Sequence, residues 1–332
     1  MKSSEFSFSR RKFIKNASLA AAGLYVAPEI PILNIVNAPL TEVTRYGCLF
    51  QGLTPQQSIE KIQAADFNLI RFTLFLSQNN TLRVLDQYLS AGFFIQLNTG
   101  WMPTTHPTPF PTEIDLAVIK QKVIALFEKY KNSPYKDRIL FLVIGNEWDN
   151  LNYHNNSIDY YLAELKFLTT IAHQYNYKVA DAGITSTALQ RWMYSQLTGQ
   201  DAIQWKRDYF VGEKLPNYLP LLKQVEYYIS KIKEIPIDYL NVHWYNAVKC
   251  SNGYPGAAGT YLERCGKTEV ITNEFGQKIP SLPVWKQTVK EVSTFNTLAG
   301  PKTTKYALAY SGVGDAGKAI ELTDEMLKEL AN

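Results

Sequence analysis

Soft metal ligands are scarce in this sequence, which has three cysteines and four histidines among its 332 residues. None stands at the short Cys/His spacings that build a zinc site. Only one histidine, His243, lies at the end of an apolar run. Metal-assisted hydrolysis needs clustered His, Asp or Glu ligands and is poorly served here, so neither a resident metal nor a cofactor is expected. Charge of one sign is also lacking. Lys2, Arg10, Arg11, Lys12 and Lys15 against Glu5 and Glu29 carry three of the four net positive charges. The rest of the chain is close to neutral and offers no basic patch for nucleic acid. Long apolar stretches are missing as well, so no stable membrane insertion is expected. With 46% hydrophobic residues and Pro and Gly spread along the chain, long disorder is not expected either.

The N-terminus has its own character. Ser9-Arg10-Arg11-Lys12-Phe13-Ile14-Lys15 precedes the mild apolar run Ala17–Val26. This segment resembles a twin-arginine export signal, which would make residues 1–38 a signal and linker and leave 39–332 as the working domain. A basic anion-binding arm is the alternative. Export implies a periplasmic or secreted bacterial protein that meets the twin-arginine translocase on its way out. Cys250 and Cys265 flank the Gly-rich stretch SNGYPGAAGTYLER. In an oxidising compartment they could close that stretch with a disulfide, or stay as two free thiols. Cys48 reads as a small buried residue.

Apolar, branched runs alternate with amphipathic segments along the remaining chain. The strand-like runs are 44–50, 68–75, 93–98, 139–145, 178–184, 238–244, 269–273 and 305–310. Helix-like segments lie at 55–65, 82–91, 115–130, 158–175, 219–233, 261–265, 284–295 and 324–330. Strands that are continuously apolar are covered on both faces, which parallel strands require. Eight strands alternating with eight helices predict a single (β/α)8 TIM barrel. A doubly wound open sheet usually carries a Gly-rich phosphate turn after its first strand, and Phe50-Gln51-Gly52-Leu53-Thr54 is not one.

Chemistry in such a barrel gathers where strands end. The strand ends supply Arg71; Asn98 and Trp101; Asn146, Glu147 and Trp148; His243 and Tyr245; Asn273 and Glu274; and Tyr310. Two strands, the fourth and the seventh, close on the same dipeptide, Asn-Glu. Their carboxylates would face each other across the barrel mouth. Paired carboxylates can divide labour as acid and nucleophile, which is what breaking a glycosidic bond demands.

Over residues 43–330 the chain resembles the retaining glycoside hydrolases of the large clan of eightfold barrels, with catalytic Glu residues on strands four and seven. Arg71, Gly145-Asn146-Glu147, His243, Tyr245 and Glu274-Phe275-Gly276 carry the resemblance. It implies Glu147 as acid/base and Glu274 as nucleophile of a double displacement on β-glycosidic bonds in an oligo- or polysaccharide. It further implies that Asn146 binds the sugar 2-hydroxyl and that Tyr245 and Arg71 hydrogen-bond the nucleophile. Asn98, Trp101, Trp148, His243 and Tyr310 are expected to contact substrate, with Trp101 and Trp148 lining the cleft. The long connection 185–220 should wall one end of it. The sequence departs from the family at strand eight, where Tyr310 stands in place of a Trp that floors the first sugar site. A carbohydrate-binding barrel without turnover and a transglycosylase on the same residues are the alternatives.

Overall fold

The computed structural model describes residues 43–76, 81–100, 111–150, 157–196, 219–245, 253–276, 281–313 and 319–331. Trp101, Cys250, residues 1–42 and much of the 185–220 connection lie outside the described residues. The first five apolar runs become strands β1 (Arg45–Phe50), β2 (Leu69–Phe75), β3 (Phe94–Gly100), β4 (Ile139–Ile144) and β5 (Lys178–Ala180). Two short pieces, β6 (Leu240–Asn241) and β7 (Trp244–Tyr245), make the sixth barrel position, and β8 (Val270–Gly276) makes the seventh. After a hairpin, β9 (Thr294–Thr297) and β10 (Gly300–Thr303), the long β11 (Tyr306–Val313) fills the eighth, with β12 (Ala319–Ile320) on its end.

All neighbouring barrel strands pair in parallel, in the order β5-β4-β3-β2-β1-β11-β8-β6, with β7 also on β8. Parallel bridges from Ala180 to Tyr239 and from Ile184 to Val242 join the fifth strand to the sixth. The sheet thereby closes on itself as the expected single (β/α)8 barrel. Each strand is covered outside by helices and inside by its own lumen, which is why these runs read as uniformly apolar. The lumen floor is Phe141, Val143, Ala180, Tyr239 and Ile271, with Tyr306 against them. Its rings meet at 4.7 Å (Phe141–Tyr306) and edge-on at 5.8 Å (Tyr239–Tyr306). That plug leaves the opposite, C-terminal mouth to hold polar groups.

The helices between strands are α1 (Pro55–Ala64), α2 (Thr81–Ser90), α3 (Glu113–Tyr130), α4 (Ile158–Gln174), α5 (Ser186–Ser195), α6 (Leu219–Ile232), α7 (Gly253–Cys265), α8 (Leu282–Val292) and α9 (Asp324–Lys328). Local sequence starts several of them. Thr54 and Gln57 form a capping box ahead of α1, and Thr112 and Asp115 do the same for α3. Among the described residues no helix is long and apolar enough to cross a membrane.

Three local expectations change. The long 185–220 connection contains a helix, α5, directly after the fifth strand position. The Gly-rich stretch before Cys265 is not a loop but most of α7. Gly259 serves packing rather than turning: a Cβ there would lie 1.6 Å from the carbonyl oxygen of Asn296 in the β9–β10 hairpin. Helix α7 ends in Cys265, which is fully buried and carries a free thiol, whereas Cys250, its expected partner, lies outside the described residues. The apolar run expected to be helical through residue 295 stops at Val292, and Phe295 goes into the hairpin. Sequence periodicity missed that hairpin because its strands are only four residues long.

Candidate active site

Strand β4 ends abruptly. Gly145 takes a φ of +82°, a conformation that favours glycine, and Glu147 takes +44°, which a side-chain-bearing residue rarely adopts. Two backbone bonds hold Glu147 there. Its N–H donates to the Ala182 carbonyl at 3.0 Å, and its carbonyl accepts the Asn150 N–H at 2.9 Å. The turn thus leans onto the fifth strand instead of continuing up the barrel. A left-handed non-glycine residue stores roughly 1–3 kcal/mol and persists only where its surroundings over-determine it.

Arg71, buried on β2, is the hub of the mouth. Its NH1 donates to Oε2 of Glu274 at 2.7 Å and to the Asn273 carbonyl at 3.1 Å. Its NH2 donates to Oδ1 of Asn146 at 2.9 Å. One guanidinium therefore ties the second, fourth and seventh barrel strands together in fixed fork geometry. The other oxygen of Glu274, Oε1, accepts the Tyr245 hydroxyl hydrogen from the neighbouring β7. Beneath both carboxylates sits His243, with no exposed surface. Its Nδ1 lies 2.9 Å from Oε1 of Glu147 and 3.8 Å from Oε2 of Glu274. Gly183 makes the room: a Cβ there would come within 2.7 Å of the imidazole.

The electrostatics follow from this packing. Burial alone would raise Glu274. The charges of Arg71 and His243 and the bonds from Tyr245 and Arg71 outweigh it and hold the carboxyl below its usual range. Burial likewise would lower His243, but the Glu274 charge and the bond to Glu147 win, and the imidazole is raised. Burial first, and then the Glu274 charge, push the Tyr245 phenol far up, so it stays a donor. The site thus favours the ionised form of Glu274, beside the Arg71 guanidinium and an imidazole whose protonated form the carboxyls favour. A second carboxyl stands close by: one oxygen of Glu147, one of Glu274 and a ring nitrogen of His243 all lie within 4.8 Å of one another. The same trio is compact enough to ligate a cation. Arg71 already supplies the positive charge on Glu274, however, and Nδ1 of His243 is engaged by Glu147.

The structure brings Arg71, Asn146, Glu147, His243, Tyr245 and Glu274 together and gives four expected contact residues, His243 among them, other work. Asn98 is buried. Its amide donates to the Gly145 carbonyl at 3.1 Å and its oxygen accepts from Asn273 at 3.2 Å, so both ends serve the protein. Trp148 does not line a cleft; it is 1% exposed and stacks on Tyr228 of α6 at 4.1 Å. The indole is apolar enough to anchor the turn in the helix layer, and its sequence position after Glu147 could not distinguish the two uses. His243 has no surface to offer a sugar and acts through the two carboxylates instead. Tyr310 is buried with its hydroxyl on Gln51 and its ring edge-on to Tyr245 at 6.3 Å.

Sequence reasoning left several groups without a role. Asn273, Asn241 and Asp181 continue an internal polar ladder below the site: Asn241 donates to Asn273 at 2.7 Å and accepts its N–H at 3.1 Å, and Asp181 accepts the Asn241 N–H at 2.6 Å. Tyr228 completes it with a 2.8 Å bond to Asp181. Asp149 and Asn150 sit in the conspicuous polar end of β4. The signal was present there, but no spacing rule assigns the partners.

No protein-family model and no curated protein matches this sequence. Solved structures do resemble the fold. A glucosidase from Croceicoccus marinus superposes with a TM-score of 0.51 at 12% identity, over 87% of this chain and 64% of that one. A family 39 glycoside hydrolase from the gut symbiont Bacteroides cellulosilyticus WH2 gives a TM-score of 0.51 at 14% identity, over 92% and 65%. The chain spans just under two thirds of the length of either neighbour. The eightfold barrel is therefore one that glycoside hydrolases use, and at these identities the likeness is of fold.

Proposed function

We propose that this protein is a retaining glycoside hydrolase that cleaves β-glycosidic bonds in an oligo- or polysaccharide. The observation that carries the reading is a pair of close but unlike carboxyls. Glu274 is held ionised by Arg71, His243 and Tyr245, whereas Glu147 beside it is held by His243 and the Asn150 amide. Retaining enzymes keep their carboxyls about 5–5.5 Å apart, whereas inverting ones need room for a water between. Oxygens within 4.8 Å support the former.

In this reading Glu274 attacks the anomeric carbon while Glu147 gives its proton to the departing glycosidic oxygen. The C–O bond to the leaving sugar breaks and an ester bond to Glu274 forms. Arg71 and Tyr245 hold the attacking carboxylate in line, and the oxocarbenium-like charge develops next to it. Once the ester has formed, Glu274 is neutral. Glu147, now a carboxylate, takes a proton from water, whose oxygen replaces the ester at the anomeric carbon. Asn146, oriented by Arg71, is placed to meet the sugar 2-hydroxyl. A sugar hydroxyl in place of water would make the same site a transglycosylase.

The fold neighbour named a glucosidase makes aryl β-glucosides the first substrates to try, with β-glucans, β-mannans and xylans beside them. Proton NMR of the first-formed product tests the mechanism. The substrate's anomeric configuration is expected; the inverted anomer would refute double displacement. The Ser9–Lys15 segment supports export through the twin-arginine translocase to the periplasm or beyond.

A further inference from the structure

The turn that presents Glu147 carries two polar side chains that double displacement does not use. Asn150 donates its side-chain amide to Oε2 of Glu147 at 2.7 Å. Asp149 is buried and accepts twice from Thr185, from the backbone N–H at 2.9 Å and from the hydroxyl at 2.6 Å. With His243 on Oε1, both oxygens of the Glu147 carboxyl have a fixed partner. The last torsion of a glutamate is broad and nearly free by itself, so these two partners decide the plane in which the carboxyl lies. His243 rides on the rigid sixth barrel position. Asn150 rides on the turn itself, whose left-handed residues Gly145 and Glu147 give it little propensity of its own to stay folded. The Asp149–Thr185 pair is the contact that locks this turn to the next βα-connection.

We propose that Asn150 is a positioning residue for the proton-transferring carboxyl of Glu147, held in place by the buried Asp149–Thr185 clamp. The inference rests on the reading of Glu147 as acid/base and deepens it. Proton transfer needs the carboxyl oxygen within about 2.6–3.2 Å of the leaving oxygen. A carboxyl free to turn about its last torsion spends much of its time outside that reach. Glu274 is untouched by such a change, because Arg71, Tyr245 and His243 hold it from other strands. Loss of Asn150 should therefore harm the protonation of the leaving group and spare the attack.

That separation has a signature which simple structural damage lacks. A dinitrophenolate leaves without help from an acid, whereas a phenolate needs the proton. The experiment compares kcat/KM of the full chain and of Asn150→Ala, Asn150→Gln and Thr185→Val on dinitrophenyl and phenyl β-glucosides, with thermal midpoints to show that each variant is folded. One hydrogen bond to a charged group corresponds to a loss of roughly tenfold to a hundredfold for Asn150→Ala on the phenyl glucoside, and within about threefold on the dinitrophenyl glucoside. Asn150→Gln, which keeps an amide, should recover part of the loss, and Thr185→Val should repeat the pattern more weakly. Equal losses on both substrates, or no loss on either, would overturn the role of Asn150. If the wild-type protein cleaves another sugar instead, the same comparison is made on the dinitrophenyl and phenyl glycosides of that sugar; a wild-type protein that cleaves no aryl glycoside, β-glucan, β-mannan or xylan would overturn the glycosidase reading, and this inference with it.

Discussion

Nδ1 of His243 lies 2.9 Å from Glu147 and 3.8 Å from Glu274, so one buried imidazole serves both carboxyls. Burial opposes its charge, but the Glu274 charge and the bond to Glu147 outweigh burial and favour the protonated ring beneath the pair. His243→Asn keeps a polar group there and removes the charge. The acid limb of the kcat/KM profile reports ionisation of Glu274, which the imidazolium helps hold low. That limb should move to higher pH in the variant, with an activity loss of about tenfold or more at its old optimum. An unmoved limb would show that the histidine charge does not reach Glu274.

The Arg71–Glu274 pair is buried, with side chains 4% and 14% exposed. Arg71→Met leaves a carboxylate in the mouth without its main partner. Removing one member of a buried pair typically costs about 3–5 kcal/mol. The denaturant midpoint should drop accordingly, and hydrolysis should be nearly abolished. Arg71→Lys keeps the charge but not the fork to Asn146 and should fall between.

The two carboxyls should separate under exogenous azide. Glu274→Ala should be nearly inactive and regain turnover with azide, giving the inverted glycosyl azide. Glu147→Ala should still act on activated aryl glycosides and yield the retained azide product. Identical product anomers from both variants would contradict the assignment of roles.

Stability should fall as the solution becomes alkaline. Burial raises Glu164, on α4, to about 8 and Glu291 to about 7. A carboxyl whose folded pKa lies above its unfolded one favours the folded state at low pH. That advantage is lost as pH climbs from the ordinary carboxylate range to the folded value. Glu164→Gln removes one such group. Each pKa unit is worth about 1.4 kcal/mol, so the variant should gain up to a few kcal/mol over wild type at pH 8 relative to pH 5. Thermal midpoints at the two pH values check this; parallel midpoints would place the proton elsewhere.

Arg10→Lys together with Arg11→Lys should leave the protein in the cytoplasm, as fractionation with immunoblotting would reveal. Unchanged export of the double variant would point to a different route.

Fold class was legible because a parallel barrel imposes a one-dimensional pattern. Strands covered on both faces must be apolar throughout, and each must be followed by an amphipathic helix. The polar ends of those strands then had to lie at one mouth, which is why Arg71, Glu147, Tyr245 and Glu274 could be read together. What tertiary structure alone decided was direction and partner. Trp148 and Trp101 look alike in sequence, yet the described one turns inward onto Tyr228, because the left-handed Glu147 swings the chain toward the helix layer. Asn98 and Asn146 both end strands, but Asn273 and the Gly145 carbonyl claim Asn98 for the barrel lumen. Gly259 reads as a loop residue until the Asn296 carbonyl is found against it inside a helix. His243 became the shared partner of both carboxyls only because Gly183, 60 positions earlier, leaves space for its ring. Strand periodicity is written locally, whereas the identity of a buried side chain's partner depends on chain segments far apart in sequence.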